Sequence, residues 1–373
     1  MIATTLADTV ELLGPAYVKL AQILSTRADL LPEEVIRAMR RLYDQVRPPP
    51  PGKAVRSVPS ALLAEVDGGL VPVAAGSIAC VYRARLHSGR LVAVKARRPE
   101  VVRLMALDLT LLEHAARLVG RLPALRGAPV RQVVGQVGDA IYQQLDLVRE
   151  AENLTTIKRD LADLSAVRIP AVDHARSGPE VLVQEFIPGL GQDGPVSPAA
   201  RRAGALTAMR ACFHMLFLSG LVHCDMHPGN VYVQRDGTCV ILDTGFAYRL
   251  TPYARRRFAE FFYAMSRGDG ARCADVVLET ATVLRPDADL AGFRRTLSEL
   301  VVRNSRVAVH DFDLIGFARK LFDAQRSHGL AADPQFVFPI LALLVLDGTL
   351  RQLCPDVDFQ KEAIPYVLRG LMV

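Results

Sequence analysis

Three side chains suited to holding a hard cation or directing a nucleophile recur at fixed intervals late in this 373-residue chain. They are Asp225 and Asn230, in His223-Cys224-Asp225-Met226-His227-Pro228-Gly229-Asn230, and Asp243, in Leu242-Asp243-Thr244-Gly245. Between them the apolar runs Val231–Gln234 and Cys239–Leu242 flank Arg235-Asp236-Gly237, which reads as a short strand pair closed by a tight turn. Such a hairpin folds Asp243 back beside Asn230. The segment is therefore constrained to a loop, a hairpin and a second loop, on a frame rigid enough to hold three polar groups in place.

HxD, an Asn five residues after the Asp, a strand pair and then DxG is the order and spacing of a kinase catalytic loop. In that arrangement Asp225 orients or deprotonates the nucleophile. Asn230 and Asp243 offer hard oxygen ligands to Mg²⁺, which takes one or two carboxylates plus phosphate oxygens. An isolated HxD says little, whereas HxD, Asn and DxG at this spacing say much more. Two other readings compete. His223, Cys224, Asp225 and His227 could form a zinc cluster, although ligands so close together need partners at suitable spacing elsewhere. Alternatively, Asp225 and Asp243 are capping or surface acids.

A second group of residues lies earlier. Val92-Ala93-Val94-Lys95 alternates as a strand does and carries one lysine, as in the kinase strand that holds the α- and β-phosphates. The small-residue turn Ala74-Ala75-Gly76-Ser77-Ile78-Ala79 precedes it, and side chains this small let backbone N–H groups approach phosphates. A tight hairpin without a ligand would read the same way. In Gln144-Leu145-Asp146-Leu147-Val148-Arg149-Glu150, Glu150 is the expected helix partner of Lys95, with Asp146 one turn before it on the same face. Gln184-Glu185-Phe186 falls where an adenine-contacting hinge belongs, and Glu185 is the position expected to present backbone groups to the base.

The surrounding pattern separates strands from helices. Helices are expected over 3–28 and from Pro32, followed by a stiff break at Pro48-Pro49-Pro50-Pro51-Gly52. Strand periods follow over Val71–Ala75, Ala79–Leu86 and Arg90–Ala96, with His87-Ser88-Gly89 as a turn. Residues 100–160 are helical with a break near Pro123–Pro129, Val167–Ile169 and Val181–Phe186 are strands, and Gly189–Pro198 is a connecting loop before a mainly helical half. Segregated strands and helices indicate an α+β fold. Three parts are expected: a helical extension over 1–52, a sheet-bearing lobe over 53–190 and a helical lobe over 191–373.

Composition narrows the function. Half the residues are hydrophobic, which indicates a globular chain. The net charge of +6 favours anionic partners such as phosphates or acidic lipid heads, but arginine is dispersed with no long basic run, so no nucleic-acid partner is expected. The six cysteines include no CxxC pair and read as small buried hydrophobes in a reducing compartment. No basic and then apolar N-terminal signal is seen. The longest apolar run, Phe336–Leu346, is about half of the ~20 residues of a membrane span. A cytoplasmic protein, at most peripheral on a membrane, is expected.

Taken together these motifs resemble the UbiB-type (ADCK-like) atypical kinase family along nearly the whole chain. Lys19-Leu20-Ala21-Gln22 and the residues after it resemble its KxGQ signature, Ala74–Val81 its Ala-rich loop, Gln144–Asn153 its ExD segment and helix Glu, and His223–Asn230 its catalytic loop. Asp347-Gly348-Thr349-Leu350 with Pro355-Asp356 resembles its C-terminal half. The resemblance implies a two-lobed protein-kinase-like fold with an N-terminal helical extension over the cleft, in which Lys19 and Gln22 regulate access and Lys19 reaches the acids at 144–146. It implies ATP and Mg²⁺ as cofactors, ATPase or unorthodox kinase activity, a lipid or quinone-precursor ligand, and a role in ubiquinone-type or related lipid metabolism. The alternatives are a phosphotransferase acting on a small metabolite or protein, and a nucleotide-binding pseudokinase module. The chain departs from the family pattern at Ala21 for Gly, Gln144 for the first acid of ExD, Gly76 for a third Ala and Thr244 for Phe.

Overall fold

The computed structural model of the protein describes residues 51–119, 130–190, 196–305, 312–354 and 359–372. The helices expected over 3–28 and from Pro32, with Lys19 and Gln22, lie outside the described residues. The chain divides into two compact units: Met1–Thr155 with Pro170–Ile187, and Thr156–Ile169 with Pro188–Val373.

The first unit is built on β1 (Val66–Ala75), β2 (Ala79–Leu86) and β3 (Leu91–Arg97), followed by α1 (Val101–Val119), α2 (Val130–Gln144) and α3 (Leu147–Asp160). After β4 (Val167–Arg168), which belongs to the second unit, β5 (Val181–Glu185) completes an antiparallel sheet of order β1-β2-β3-β5. Alternation along β3 decides the two faces. Val92, Val94 and Ala96 pack with Cys80, Tyr82, Ala84, Val181 and Val183 under the short helical segments 51–63, where Ala54, Val58 and Leu62 close the core. Ala93 and Lys95 take the opposite face.

The turn at His87-Ser88-Gly89 forms as expected, with Gly89 at φ 79° and its N–H bonded to the Leu86 carbonyl at 2.8 Å. β1 begins earlier than the Val71 start read from the sequence. Gly68 and Gly69 adopt φ of 69° and 83°, and the register with β2 shifts between Asp67 and Val71. A polar, glycine-rich stretch therefore still pairs, across a bulge.

In the second unit, α4 (Pro198–His214) runs into a π-helical turn, Met215–Ser219. Gly220, at φ 78°, then redirects the chain into β6 (Leu221–His223). There follow β7 (Val231–Val233), β8 (Cys239–Ile241), β9 (Ala247–Arg249), α5 (Pro252–Ser266), α6 (Gly270–Thr280), β10 (Ala281–Leu284), α7 (Leu290–Ser305), α8 (Leu314–Ser327), β11 (Leu330–Ala332), α9 (Pro334–Leu353) and α10 (Phe359–Met372). Ser197, Thr251, Asp269 and Asp313 cap α4, α5, α6 and α8, each accepting a backbone N–H near the helix start. The expected hairpin is β7–β8. β4 joins it in parallel beside β8, which is why residues 156–169 associate with this unit.

The core here is aromatic: Phe217, Phe258 and Phe262 meet at centroid separations of 5.4–6.4 Å. In α9, Val337, Phe338, Leu341, Ala342, Leu343, Leu346 and Leu350 are buried. Its stretch Gln335–Leu353 is, among the described residues, the one helix long and apolar enough to cross a membrane, and 56% of its most apolar window is buried inside the protein. All six cysteines are free; Cys80, Cys212, Cys224, Cys239 and Cys273 are buried, and burial pushes the Cys212 and Cys239 thiols up to about 12.

Candidate functional site

In the sheet-bearing unit the Lys95 ammonium lies 2.8 Å from both carboxylate oxygens of Glu150. The Glu150 side chain is 2% exposed and that of Lys95 12%. Glu150 sits in the first turn of α3, where the helix dipole favours a carboxylate. The start of α3 is tied to the sheet by Arg97, which donates to the Leu145 carbonyl at 2.7 Å and to the Pro179 carbonyl at 3.0 Å. Lys95 is thus held extended by a partner whose own position is fixed.

The small-residue turn is ordered by backbone bonds and by one buried guanidinium. The Gly76 N–H donates to the Ala79 carbonyl at 2.8 Å. Arg98 donates through Nε to the Gly76 carbonyl at 3.0 Å and through its backbone N–H to the Ile78 carbonyl at 2.9 Å. Ala74 and Ala75 end β1, Ser77 and Ile78 form the bend, and Ala79 opens β2. A Cβ at Gly76 would meet only the Ala79 carbonyl oxygen, at 3.5 Å, and Gly76 has no left-handed φ, so its backbone does not itself demand glycine. Arg98 was not singled out from the sequence. The double Arg at the end of the Lys95 strand was the available signal, but only the register shows which of the two turns inward.

One further residue differs from its sequence reading. Asp146 does not share a helical face with Glu150. It precedes α3 and caps it, its Oδ1 accepting the Val148 N–H at 3.0 Å, and it is exposed. Gln144 is buried at the end of α2. The Glu185 carboxylate accepts the Ala171 N–H at 3.3 Å, and Glu185 pairs with Val92, on the sheet face opposite Lys95. Its side chain therefore leaves only main-chain groups for a ligand on the Lys95 face.

In the helical unit the catalytic-loop motif is framed by β6 and β9, which pair antiparallel and place His223 opposite Ala247. Neither three-residue strand was legible from the sequence. His223 is fully buried; its Nε2 lies 3.0 Å from the Leu242 carbonyl, and its Nδ1 accepts the Asp225 N–H at 3.1 Å. One ring nitrogen donates and the other accepts, which fixes a neutral tautomer. Burial also holds its pKa below the ordinary histidine value, against the pull of the Leu242 bond. The imidazole therefore braces the chain on both sides, binding the backbone at Asp225 and at Leu242, next to Asp243.

Asn230 is buried, and its Nδ2 donates to the Asp225 carbonyl at 2.9 Å. That bond assigns the amide and leaves the other end as an oxygen. The Leu242 N–H donates to the Asn230 carbonyl at 2.8 Å, closing the β7–β8 hairpin so that Asp243 follows directly beside Asn230. Among the described residues Asp243 is the one non-glycine with positive φ, at 51°, and its Oδ1 lies 3.3 Å from the Gly245 N–H. Strained backbone of this kind collects at functional sites. The Asp225 Oδ2 lies 3.9 Å from His227 Nε2, and Thr349 of α9 donates to the Met226 carbonyl at 2.8 Å, pinning the loop from behind. Among the described residues no three or more His, Cys, Asp or Glu side chains form a metal cage. The donor set of one carboxylate and one amide oxygen instead fits Mg²⁺, which keeps most of its shell for water and phosphate.

A solved structure, titled as the complex of Rv3197 with erythromycin from Mycobacterium tuberculosis, superposes with a TM-score of 0.62 over 94% of this chain and 92% of that one, at 21% identity. At that identity the likeness is one of fold: a sheet-bearing unit followed by a mainly helical one. Residues 60–277, more than half the chain, match the ABC1 atypical kinase-like domain. That span contains Lys95, Glu150, Asp225, Asn230 and Asp243, and a domain of this kind implies a kinase-like, nucleotide-binding protein. On that match the chain belongs to the ABC1 (UbiB-type) atypical kinase-like family.

Proposed function

We propose that the protein binds ATP with Mg²⁺ and turns it over, by hydrolysis or by transfer to a small acceptor, in support of isoprenoid quinone or related lipid metabolism. The observation that carries the nucleotide reading is the ion pair of Lys95 with Glu150, both oxygens at 2.8 Å. A half-buried lysine held straight by a carboxylate is poised to grip phosphate oxygens. Main-chain N–H groups of the 74–79 turn would cradle the same phosphates. Asn230 and Asp243 would hold the metal, whose contribution is to neutralise charge on the phosphates. Asp225 would orient water or a hydroxyl for attack and accept its proton. Positioned charge of this kind is the main source of rate in phosphoryl transfer. The lipid-metabolic role rests on family resemblance.

Purified protein incubated with γ-labelled ATP and Mg²⁺ tests this reading. Phosphate release that falls at least 100-fold in Asp243→Asn and in Asp225→Asn is the expected result. Equal release from all three proteins contradicts it. Label carried onto a third molecule would favour the transferase reading over hydrolysis. A comparison of cellular quinones between wild type and Asp225→Asn tests the metabolic role.

A further inference from the structure

Gln184 in β5 buries an amide oxygen for which no donor is in place. The residue is 9% exposed, and no donor among the described residues reaches its Oε1. Leaving a buried acceptor unpaired costs about 1–3 kcal/mol, and most native structures avoid it. An orphan that persists invites the question of what satisfies it in the working protein.

The strand register shows where the amide points. β3 and β5 pair antiparallel with Lys95 opposite Leu182 and Ala93 opposite Gln184. Directly opposed residues project from the same face, so Gln184, Ala93 and Lys95 share one face of the sheet. The other face carries Val92, Val94, Ala96, Val181 and Val183, sealed in the hydrophobic core. Gln184 is the diagonal neighbour of Lys95, ~7–8 Å along the face in a typical ladder. It is also the last residue of β5 on this face, because Glu185 turns to the other side and holds the Ala171 N–H. Its cross-strand neighbour is alanine, whose methyl leaves room for a flat group beside the amide. A lysine for the phosphates and an unpaired acceptor further along the same face are thus arranged as a nucleotide needs them, with the phosphate end on Lys95 and the base towards Gln184.

We propose that Gln184 selects the base, its Oε1 accepting a hydrogen bond from the exocyclic 6-amino group of adenine. The proposal rests on the nucleotide reading above and deepens it. The 6-amino group of adenine donates. The 6-oxo group of hypoxanthine or guanine accepts, and would set two acceptors against each other in a buried place. A purine with hydrogen at C6 would leave the orphan unsatisfied. The site should therefore rank adenine first, unsubstituted purine second and hypoxanthine last.

The test is a titration of the full-length protein, with Mg²⁺, against ATP, purine riboside triphosphate and ITP. For wild type, Kd is expected to rise at least tenfold from ATP to the purine analogue and further for ITP. Gln184→Met keeps the length of the side chain and removes the acceptor. It should weaken ATP about tenfold and bring ATP and the purine analogue to within about twofold of each other. The wild-type ligand series needs no variant, so it stands even if Gln184→Met fails to fold. ATP binding with ITP equally tight in wild type, or with the same ranking and ratios in Gln184→Met, overturns the proposal and leaves the nucleotide reading intact. Binding of none of the three overturns both.

Discussion

Lys95 and Glu150 are 55 residues apart in the chain and meet in a two-point contact of 2.8 Å between β3 and α3. Each holds the other in a place where neither charge is well hydrated. Removing one partner from a buried pair leaves the other charge stranded, at a cost of about 3–5 kcal/mol. Glu150→Leu is therefore expected to lower the unfolding free energy by about that amount, and Lys95→Met/Glu150→Leu by less than the sum of the two single changes. Denaturant titration of the four proteins checks this. Additive losses would show that the two side chains are independent.

Asp146 is exposed and caps α3 through the Val148 N–H. Asp146→Ala should cost about 0.5–2 kcal/mol, and Asp146→Ser should restore most of it because a hydroxyl accepts the same bond. Thermal unfolding separates this role from a charge-based one: a serine variant as unstable as the alanine variant would mean that the carboxylate charge, not the cap, is what α3 uses.

His223 is buried and neutral, and its pKa is depressed chiefly by burial. His214 is depressed for the same first reason, with Arg369 adding to it. A histidine of ordinary pKa, ~6.5, gains a proton in the unfolded chain before it does so in the folded one. The unfolded state then binds more protons, so stability is complete above that value and falls as pH drops below it. The expected slope is up to about 1.4 kcal/mol per pH unit for each such group. Unfolding free energies between pH 7.5 and 5 measure it, and His223→Gln should reduce the slope. A stability that rises on acidification across this window would contradict the assignment.

Gly204 in α4 lies against β7, the strand that follows Asn230. A Cβ there would stand 2.5 Å from both methyl carbons of Val233, which is branched and cannot swing away. Gly204→Ala should destabilise by about 1–3 kcal/mol although alanine is the better helix former. Val233→Ala in the same protein should recover most of that loss, and failure to recover would place the cause elsewhere.

How much of this was legible in the sequence follows from what each feature depends on. The spacing of Asp225, Asn230 and Asp243 is local, and a three-residue turn at 235–237 suffices to fold it, so the β7–β8 hairpin and the convergence beside Asn230 could be read directly. Strand alternation likewise marked β2, β3 and β5. The pairing of β6 with β9 was not legible, because two strands of three residues carry no measurable period and meet only through tertiary contact. β1 was read short because Gly68 and Gly69 carry no strand alternation and pair only across a bulge. Asp146 was read as a helical neighbour of Glu150 because spacing alone does not show where a helix starts. Arg98 and Gln184 depend on register, which assigns one residue to the core and the next to the working face.

Titration of ATP into the full-length protein, with and without Mg²⁺, and into Lys95→Met, is the most direct test of the central claim. Saturable one-to-one binding that tightens with the metal and weakens at least tenfold in Lys95→Met is the predicted result. An absence of saturation up to millimolar ATP with the metal present, or equal affinity in the two proteins, would contradict it.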